Sequence, residues 1–267
     1  MLHKIGFIGG GNMASAIISG LIAKKIYAPQ DIIASAATEK TVERLILQFG
    51  IKATTSNEEI VQDCDVIVLA VKPYMIFKVL EPLKSHFKTD QLVISIASGI
   101  KLEKLMKELP TQKVYRAMPN TPAAVNLGMT SLCTKLSESD PTRKVVSEIF
   151  DAIGRTAWID ESLIHAAIAV HGSSPAYAYI MMEAMADAAV LEGMPRDKAY
   201  LMAAQSLLGA AQMVLTTGLH PGVLKDQVTS PGGNTIKAIA VLEQDGFRSS
   251  IIRAMQAAAD KSREMEG

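Results

Sequence analysis

Ile8-Gly9-Gly10-Gly11-Asn12-Met13-Ala14 follows the short apolar run Lys4-Ile5-Gly6-Phe7-Ile8 and opens a stretch, residues 15–23, with helical character. The pattern is G-x-G-x-x-A between a strand and a helix, the context in which it reads as a dinucleotide-binding turn. Gly9 permits the tight turn, Gly11 lets the backbone approach a pyrophosphate, and Ala14 takes the place that packs helix on strand. The phosphates would rest on free amides at the helix N-terminus, where the macrodipole favours an anion. A purely structural glycine turn could carry the same letters, so the βαβ pattern around it is what favours the binding turn.

Outward from this turn, Val/Ile-rich runs at 31–35, 65–71, 91–97 and 113–118 alternate with amphipathic stretches, the mark of parallel βαβ units. The run from Val66 to Val71 is apolar on both faces, as in a central strand covered on each side. Residues 1–160 are therefore expected to form an α/β Rossmann domain with a doubly wound, mostly parallel sheet. After Trp158 the β signal stops and Ala, Met and Leu dominate. Helices are expected at 176–192, closed by Gly193, and at 199–215, 236–244 and 247–264, making residues 161–267 an all-α domain. These helices are apolar around most of their circumference, which calls for a homodimer or larger homo-oligomer, or for packing on the first domain.

The chain has 267 residues, and roughly 150 per domain is the usual prior, so two domains fit. Lys+Arg and Asp+Glu both number 27, and this zero net charge lacks the basic footprint of a nucleic-acid binder. Cys64 and Cys133 form neither a disulfide framework nor a paired metal-ligand spacing, which points to the cytoplasm and to no metal. The N-terminus lacks the pattern of a signal peptide. Residues 162–182 and 199–224 carry no charge, but the first is broken by Gly172-Ser173-Ser174-Pro175 and the second contains Gln205, Gln212, Thr216 and Thr217. Both read as buried helices, and no membrane partner is expected.

An NAD site would place Asp or Glu at the end of the second strand. Here that place reads Ala34-Ser35-Ala36-Ala37-Thr38-Glu39-Lys40. Ser35, Thr38 and Lys40 are suited to a 2′-phosphate, which favours NADP (NADPH preferred, NADH possible). Thr38 also fits as a helix N-cap, which is compatible. Ala70, Val71, Lys72 and Pro73 close a strand on the carboxyl edge where ligands of such sheets bind. On position alone Lys72 is either a cofactor neighbour or a solvated lysine. Arg116-Ala117-Met118-Pro119-Asn120-Thr121-Pro122 ends another strand in a rigid, hydrogen-bonding loop.

Residues 9–14, 70–73, 116–122, 172–177 and 226–235 together resemble the pyrroline-5-carboxylate reductase family, and the match spans nearly the whole chain. The most specific piece is Ser230-Pro231-Gly232-Gly233-Asn234-Thr235. The resemblance implies NAD(P)H-dependent reduction of a cyclic imine, the last step of proline synthesis, by a Rossmann domain joined to a helical dimerisation domain. It places cofactor contacts on Ile8, Gly9, Gly10, Gly11, Asn12 and Met13, on Ser35 and its neighbours, and on Asn57. Further contacts fall on Ala70, Val71, Lys72 and Pro73, and on Ile96, Ala97 and Ser98. Substrate contacts fall on Ser230, Gly232, Gly233, Asn234 and Thr235, with Thr235 bonded to the ring nitrogen. Two departures stand out: His171 where Ser is common, and Asn234 where a small residue or Thr is usual. His171 reads as a packed, hydrogen-bonded histidine.

The 230–235 loop precedes a helix, so its amides suit a small carboxylate; as a plain capping loop, Thr235 or Asn234 would be the N-cap. Asn57 lies beside a capping box formed by Ser56 and Glu59. The alternatives are a β-hydroxyacid-dehydrogenase-like enzyme and a nucleotide-sensing scaffold. The first needs a lysine acid/base, yet between Asn120 and Tyr200 the lysines are Lys135, Lys144 and Lys198, none near 172–177. The second would not need the intact 230–235 loop.

Overall fold

The structure, a computed structural model, describes residues 3–266. Its first half runs β1 (Ile5–Ile8), α1 (Asn12–Ala23), β2 (Ile32–Ser35), α2 (Glu39–Phe49), β3 (Lys52–Thr54), α3 (Asn57–Asp63) and β4 (Val66–Leu69). It continues through α4 (Ile76–Leu80), β5 (Leu92–Ser95), α5 (Leu102–Glu108), β6 (Val114–Met118), β7 (Gly128–Thr134), α6 (Thr142–Asp151) and β8 (Gly154–Trp158). After α7 (Ile164–Ala167) and a π-helical turn (Ile168–Gly172) come α8 (Ser174–Leu191), α9 (Arg196–Thr217), α10 (Pro221–Gln227), α11 (Asn234–Gln244) and α12 (Phe247–Glu266).

Among the described residues the strands form one eight-stranded sheet, ordered β3-β2-β1-β4-β5-β6-β7-β8. It is parallel throughout except for β6 against β7. The period of two along each strand divides the core between the two faces. Ile5, Phe7, Val66, Val68, Leu92 and Ile94 join one buried cluster with α1, α2 and α6, while Ile8, Ile67, Leu69 and Val93 join the other with α3, α4 and α5. This explains why the strand runs read as continuously apolar. The chain leaves β1 for β2 on one side and returns to β4 on the other, so the sheet reverses direction at β1 and opens a crevice beyond its carboxyl edge.

The sequence reading anticipated β1, β2, β4, β5 and β6 and the doubly wound, mostly parallel sheet. It did not anticipate β3, β7, β8 or α10. The compact units also divide later than residue 160: one comprises Met1–Gly172 with Ala259–Gly267, the other Ser173–Ala258. The physical reason is that Ile164 is buried in a sheet-face cluster, and that the end of α12 carries Glu266 to Arg116 of β6.

In the second unit α8 packs against α9 through small residues. Ala186 is the buried residue of α8, and Ala199 and Ala203 are those of α9. Gly193 adopts φ +90° in the turn after α8, a conformation that L side chains rarely adopt. The large apolar side chains Tyr179, Ile180, Leu201, Met202 and Leu208 remain exposed. One helix among the described residues, α9, is long and apolar enough to cross a membrane by length and composition. An apolar surface of this extent on a helix pair also fits a contact with a second protein copy.

Candidate active site

At the end of β1 the backbone turns through Gly9 at φ +107°, and a Cβ there would lie 2.8 Å from the Ala70 carbonyl oxygen. Only glycine fits. A Cβ on Gly10 would meet Leu45 Cδ1 at 2.6 Å, so this glycine lets α2 pack against the turn. Gly11 has nothing within 4 Å of its Cβ position and faces open space. It is the N-cap residue of α1 and offers no side-chain cap, which leaves the first amides of that helix free for an anion. Ala14 is buried against the sheet, as its place in the pattern requires.

A cleft of about 990 Å³ opens over this turn. Gly9, Gly10, Gly11, Asn12 and Met13 form its floor, and Ala36, Ala37, Thr38, Thr41 and Arg44 form the wall beyond β2. Ala70, Val71, Lys72, Pro73 and Met75 continue it past β4, then Ile96, Ala97 and Ser98 past β5, and Pro119 past β6. Among the described residues no carboxylate lines it, and its charged side chains are Arg44 and Lys72, so its electrostatics suit an anionic ligand. The shape is that of an extended dinucleotide lying across the switch point of the sheet.

Thr38, Ala70, Val71, Lys72, Pro73, Ile96, Ala97, Ser98 and the glycine turn are thus brought together. Ile8, Ser35, Lys40 and Asn57 do not line the cleft. Ile8 is fully buried. Ser35 is also fully buried; its Oγ donates to Asn57 Oδ1 at 2.6 Å and accepts from the Gly9 amide at 3.4 Å. These two residues brace the turn from beneath. Lys40 stands exposed on the first turn of α2. Thr38 also caps that helix, accepting from the Thr41 amide at 3.4 Å. Half of the capping box is present: Ser56 Oγ accepts from the Glu59 amide, whereas Glu59 turns its carboxylate to Thr54 and Lys52.

Arg44 was not anticipated. Its Nη2 donates to the Gly10 carbonyl at 2.7 Å and its Nη1 to Ser15 Oγ at 3.2 Å. The available signal was helical spacing, since Lys40, Thr41 and Arg44 share one face of α2.

His171 sits in the π-helical turn and is buried. Its Nε2 lies 2.7 Å from Ser131 Oγ, while Nδ1 has no partner among the described residues. Its backbone carbonyl accepts from Asn120 Nδ2 at 2.8 Å, and Asn120 Oδ1 accepts from the Met129 amide. The histidine is therefore packed, with one ring nitrogen satisfied. Burial lowers its pKa, so it is neutral at pH 7. Burial pushes the thiols of Cys64 and Cys133 up to about 12, which removes both as nucleophiles.

In the second unit, the Gly233 amide donates to the Ser230 carbonyl at 3.0 Å, and Ser230 Oγ occupies the space a Gly233 Cβ would need. Gly233 is the N-cap of α11 without a side-chain cap bond. Neither Asn234 nor Thr235 occupies the N-cap position. Instead Asn234 Oδ1 accepts from the Thr235 amide at 2.9 Å, and the Thr235 hydroxyl lies in the first turn.

A glycine turn at the switch point of a doubly wound sheet, under a carboxylate-free cleft and followed by an apolar helical unit, defines a dinucleotide-dependent enzyme of Rossmann type. Comparisons with known proteins narrow this. The family described as pyrroline-5-carboxylate reductase dimerisation matches residues 161–265, and that described as NADP oxidoreductase coenzyme F420-dependent matches residues 4–99. The chain is 48% identical to the pyrroline-5-carboxylate reductase of Escherichia coli K12 over 99% of both chains. Among solved structures, the Coxiella burnetii pyrroline-5-carboxylate reductase superposes with a TM-score of 0.93 at 37% identity, covering 99% of each chain. The Plasmodium falciparum enzyme, solved with NADP bound, gives 0.86 at 31% identity, covering 99% of this chain and 98% of its own.

The chain belongs to the pyrroline-5-carboxylate reductase family. It is an oxidoreductase acting on a C=N bond, uses a nicotinamide cofactor, and reduces 1-pyrroline-5-carboxylate in proline biosynthesis. Its residues 161–265 match the dimerisation region of that family, which supports a homo-oligomer. That membership decides against the hydroxyacid-dehydrogenase and nucleotide-sensing alternatives.

Proposed function

We propose that this reductase prefers NADPH over NADH and reads the 2′-phosphate at the wall beyond β2. The observation that carries this is the makeup of that wall: Thr38, Thr41 and Arg44, with Lys40 on the same helix and no carboxylate. Arg44 already spends donors on Gly10 and Ser15, which fixes its guanidinium beside the turn with N–H groups left over for phosphate oxygens. The free amides of α1 would hold the cofactor phosphates, and Ile96, Ala97, Ser98 and Pro119 would line the place of its redox end. A reduced nicotinamide bound there would supply the hydride that the imine carbon accepts.

The chain's own residues have a modest chemical task. A cyclic imine near neutral pH takes its proton from water, so the protein needs to hold and orient the iminium rather than provide a His/Asp dyad. The α11 amides, the Gly232-Gly233 backbone and Ser230 hold the substrate carboxylate, with Asn234 ordering the loop. Thr235 bonds the ring nitrogen. The unit of residues up to Gly172 with those from Ala259 on serves the cofactor, and Ser173–Ala258 the substrate and the dimer contact, with assemblies of dimers as the larger form. The two cysteines are free and buried, in keeping with a cytoplasmic enzyme. The test is kcat/KM for NADPH and NADH with pyrroline-5-carboxylate; a larger value for NADPH supports the reading, and equal values refute it.

A further inference from the structure

Arg116, in the middle of β6, is fully buried. A guanidinium removed from water needs paired charge, and the partners here come from far along the chain. Arg116 Nη1 lies 3.1 Å from Glu161 Oε1 and 2.7 Å from Glu266 Oε1, while Nε and Nη2 have no partner among the described residues. Glu266 closes α12. Its other oxygen is 3.0 Å from His165 Nε2, and His165 Nδ1 is 2.9 Å from Ser262 Oγ. The end of α12 thus brings a carboxylate and a hydroxyl into the first unit.

What stands on this cluster is the far wall of the cleft. Arg116 is paired in register with Ser95, the last residue of β5, and the next residues, Ile96, Ala97 and Ser98, line the cleft. A Cβ on Gly99 would lie 3.3 Å from the Met265 carbonyl oxygen, so the backbone after Ser98 runs directly against the end of α12. Glu161 accepts from the Leu102 amide at 2.8 Å and so anchors the other end of the same segment. The segment is therefore held at one end by the Glu161 carboxylate and flanked at the other by the α12 backbone at Met265 and Glu266, and it is Glu161 and Glu266 that neutralise Arg116.

We propose that Glu266 is a positioning residue for the reaction: through Arg116 and the backbone at Gly99, it fixes the 96–100 segment against the redox end of the cofactor. This rests on the cofactor orientation proposed above. Glu266 touches neither cofactor nor substrate. Its loss should loosen the nicotinamide end of the cleft and leave the adenine end as it was.

The test compares full-length wild type, Glu266→Gln and the exposed control Glu264→Gln. The measurements are kcat, KM for NADPH, melting temperature, and calorimetric binding of NADPH and of 2′,5′-ADP, which fills only the adenine end. The expected result is a fall in kcat/KM for NADPH of about tenfold in Glu266→Gln, the scale of a small misplacement of reacting groups. Binding of 2′,5′-ADP should be unchanged, and Glu264→Gln should behave as wild type. If Glu266→Gln does not fold, Ser262→Ala, which removes only the brace on His165, should show the same split at smaller size. Unchanged NADPH kinetics in Glu266→Gln, or in Ser262→Ala where it stands in, overturns the proposal, as does equal weakening of both ligands. Failure of wild type to bind 2′,5′-ADP would instead overturn the cofactor orientation, and the proposal with it.

Discussion

Ser35 Oγ donates to Asn57 Oδ1 at 2.6 Å, and the same oxygen accepts from the amide of Gly9, the residue on which the cofactor turn pivots. The end of β2 and the start of α3 are thereby joined under the glycine turn. Ser35 belongs to the support of the cleft rather than to its wall. Ser35→Ala takes the hydroxyl donor from Asn57 Oδ1, while the Gly9 amide keeps the Ser35 carbonyl at 3.2 Å, and the loss of one such partner costs about 1–3 kcal/mol when buried. The expected outcome is a rise in KM for NADPH and NADH by the same factor, checked by steady-state kinetics with each cofactor.

Discrimination between cofactors should instead lie with Arg44 and Lys40. Arg44→Ala removes charge-assisted bonds to the 2′-phosphate of about 1.5–3 kcal/mol, or roughly ten- to a hundredfold in affinity. NADH has no such group and should lose only what the missing bonds to Gly10 and Ser15 cost the turn, a smaller effect. Lys40→Glu should act in the same direction, raising KM for NADPH more than for NADH. Equal effects on both cofactors would remove these residues from the specificity site.

The glycine turn was legible in sequence because its geometry is local: Gly9 needs its conformation and Gly11 its open face whatever surrounds them. The apolar strands were legible because a central parallel strand is buried on both sides. The strand β3 is short and begins with exposed Lys52, and β7 and β8 mix polar residues with apolar ones, so none carries a clean period. Arg44 escaped notice because its role depends on how α2 docks against Gly10. Arg116 and Glu266 lie 150 residues apart and are ordinarily surface types; only the tertiary fold makes them a buried pair.

That pair has a pH signature. Burial alone would raise the Glu266 pKa, but Arg116 and His165 outweigh it and hold the carboxyl below its ordinary 4.5. A depressed folded pKa stabilises the protein above the unfolded value, and that contribution is lost as pH falls through the folded one. The stability difference between wild type and Glu266→Gln should therefore be full at pH 7 and shrink below pH 4.5. Denaturant unfolding at a series of pH values checks this, and a difference independent of pH would remove the charge from the explanation.

The exposed apolar residues of α8 and α9 should lie between copies. Ile180 is 65% exposed in the single chain, so Ile180→Glu leaves the monomer's own packing intact while placing an unpaired charge in the contact. Sedimentation should give a dimer or larger species for wild type at micromolar concentration and a shift toward monomer for the variant. A stable wild-type monomer would contradict this assignment.

The proposed chemistry turns on Thr235, whose hydroxyl lies in the first turn of α11 without serving as its N-cap. The most direct measurement is kcat for pyrroline-5-carboxylate reduction by Thr235→Ala and Thr235→Ser, with NADPH affinity and melting temperature determined on the same preparations. The account predicts a fall of about ten- to a thousandfold for alanine, the range for loss of one positioned hydrogen-bonding group. NADPH affinity should stay nearly unchanged, and serine should retain most of the activity. A folded alanine variant as active as wild type would contradict it.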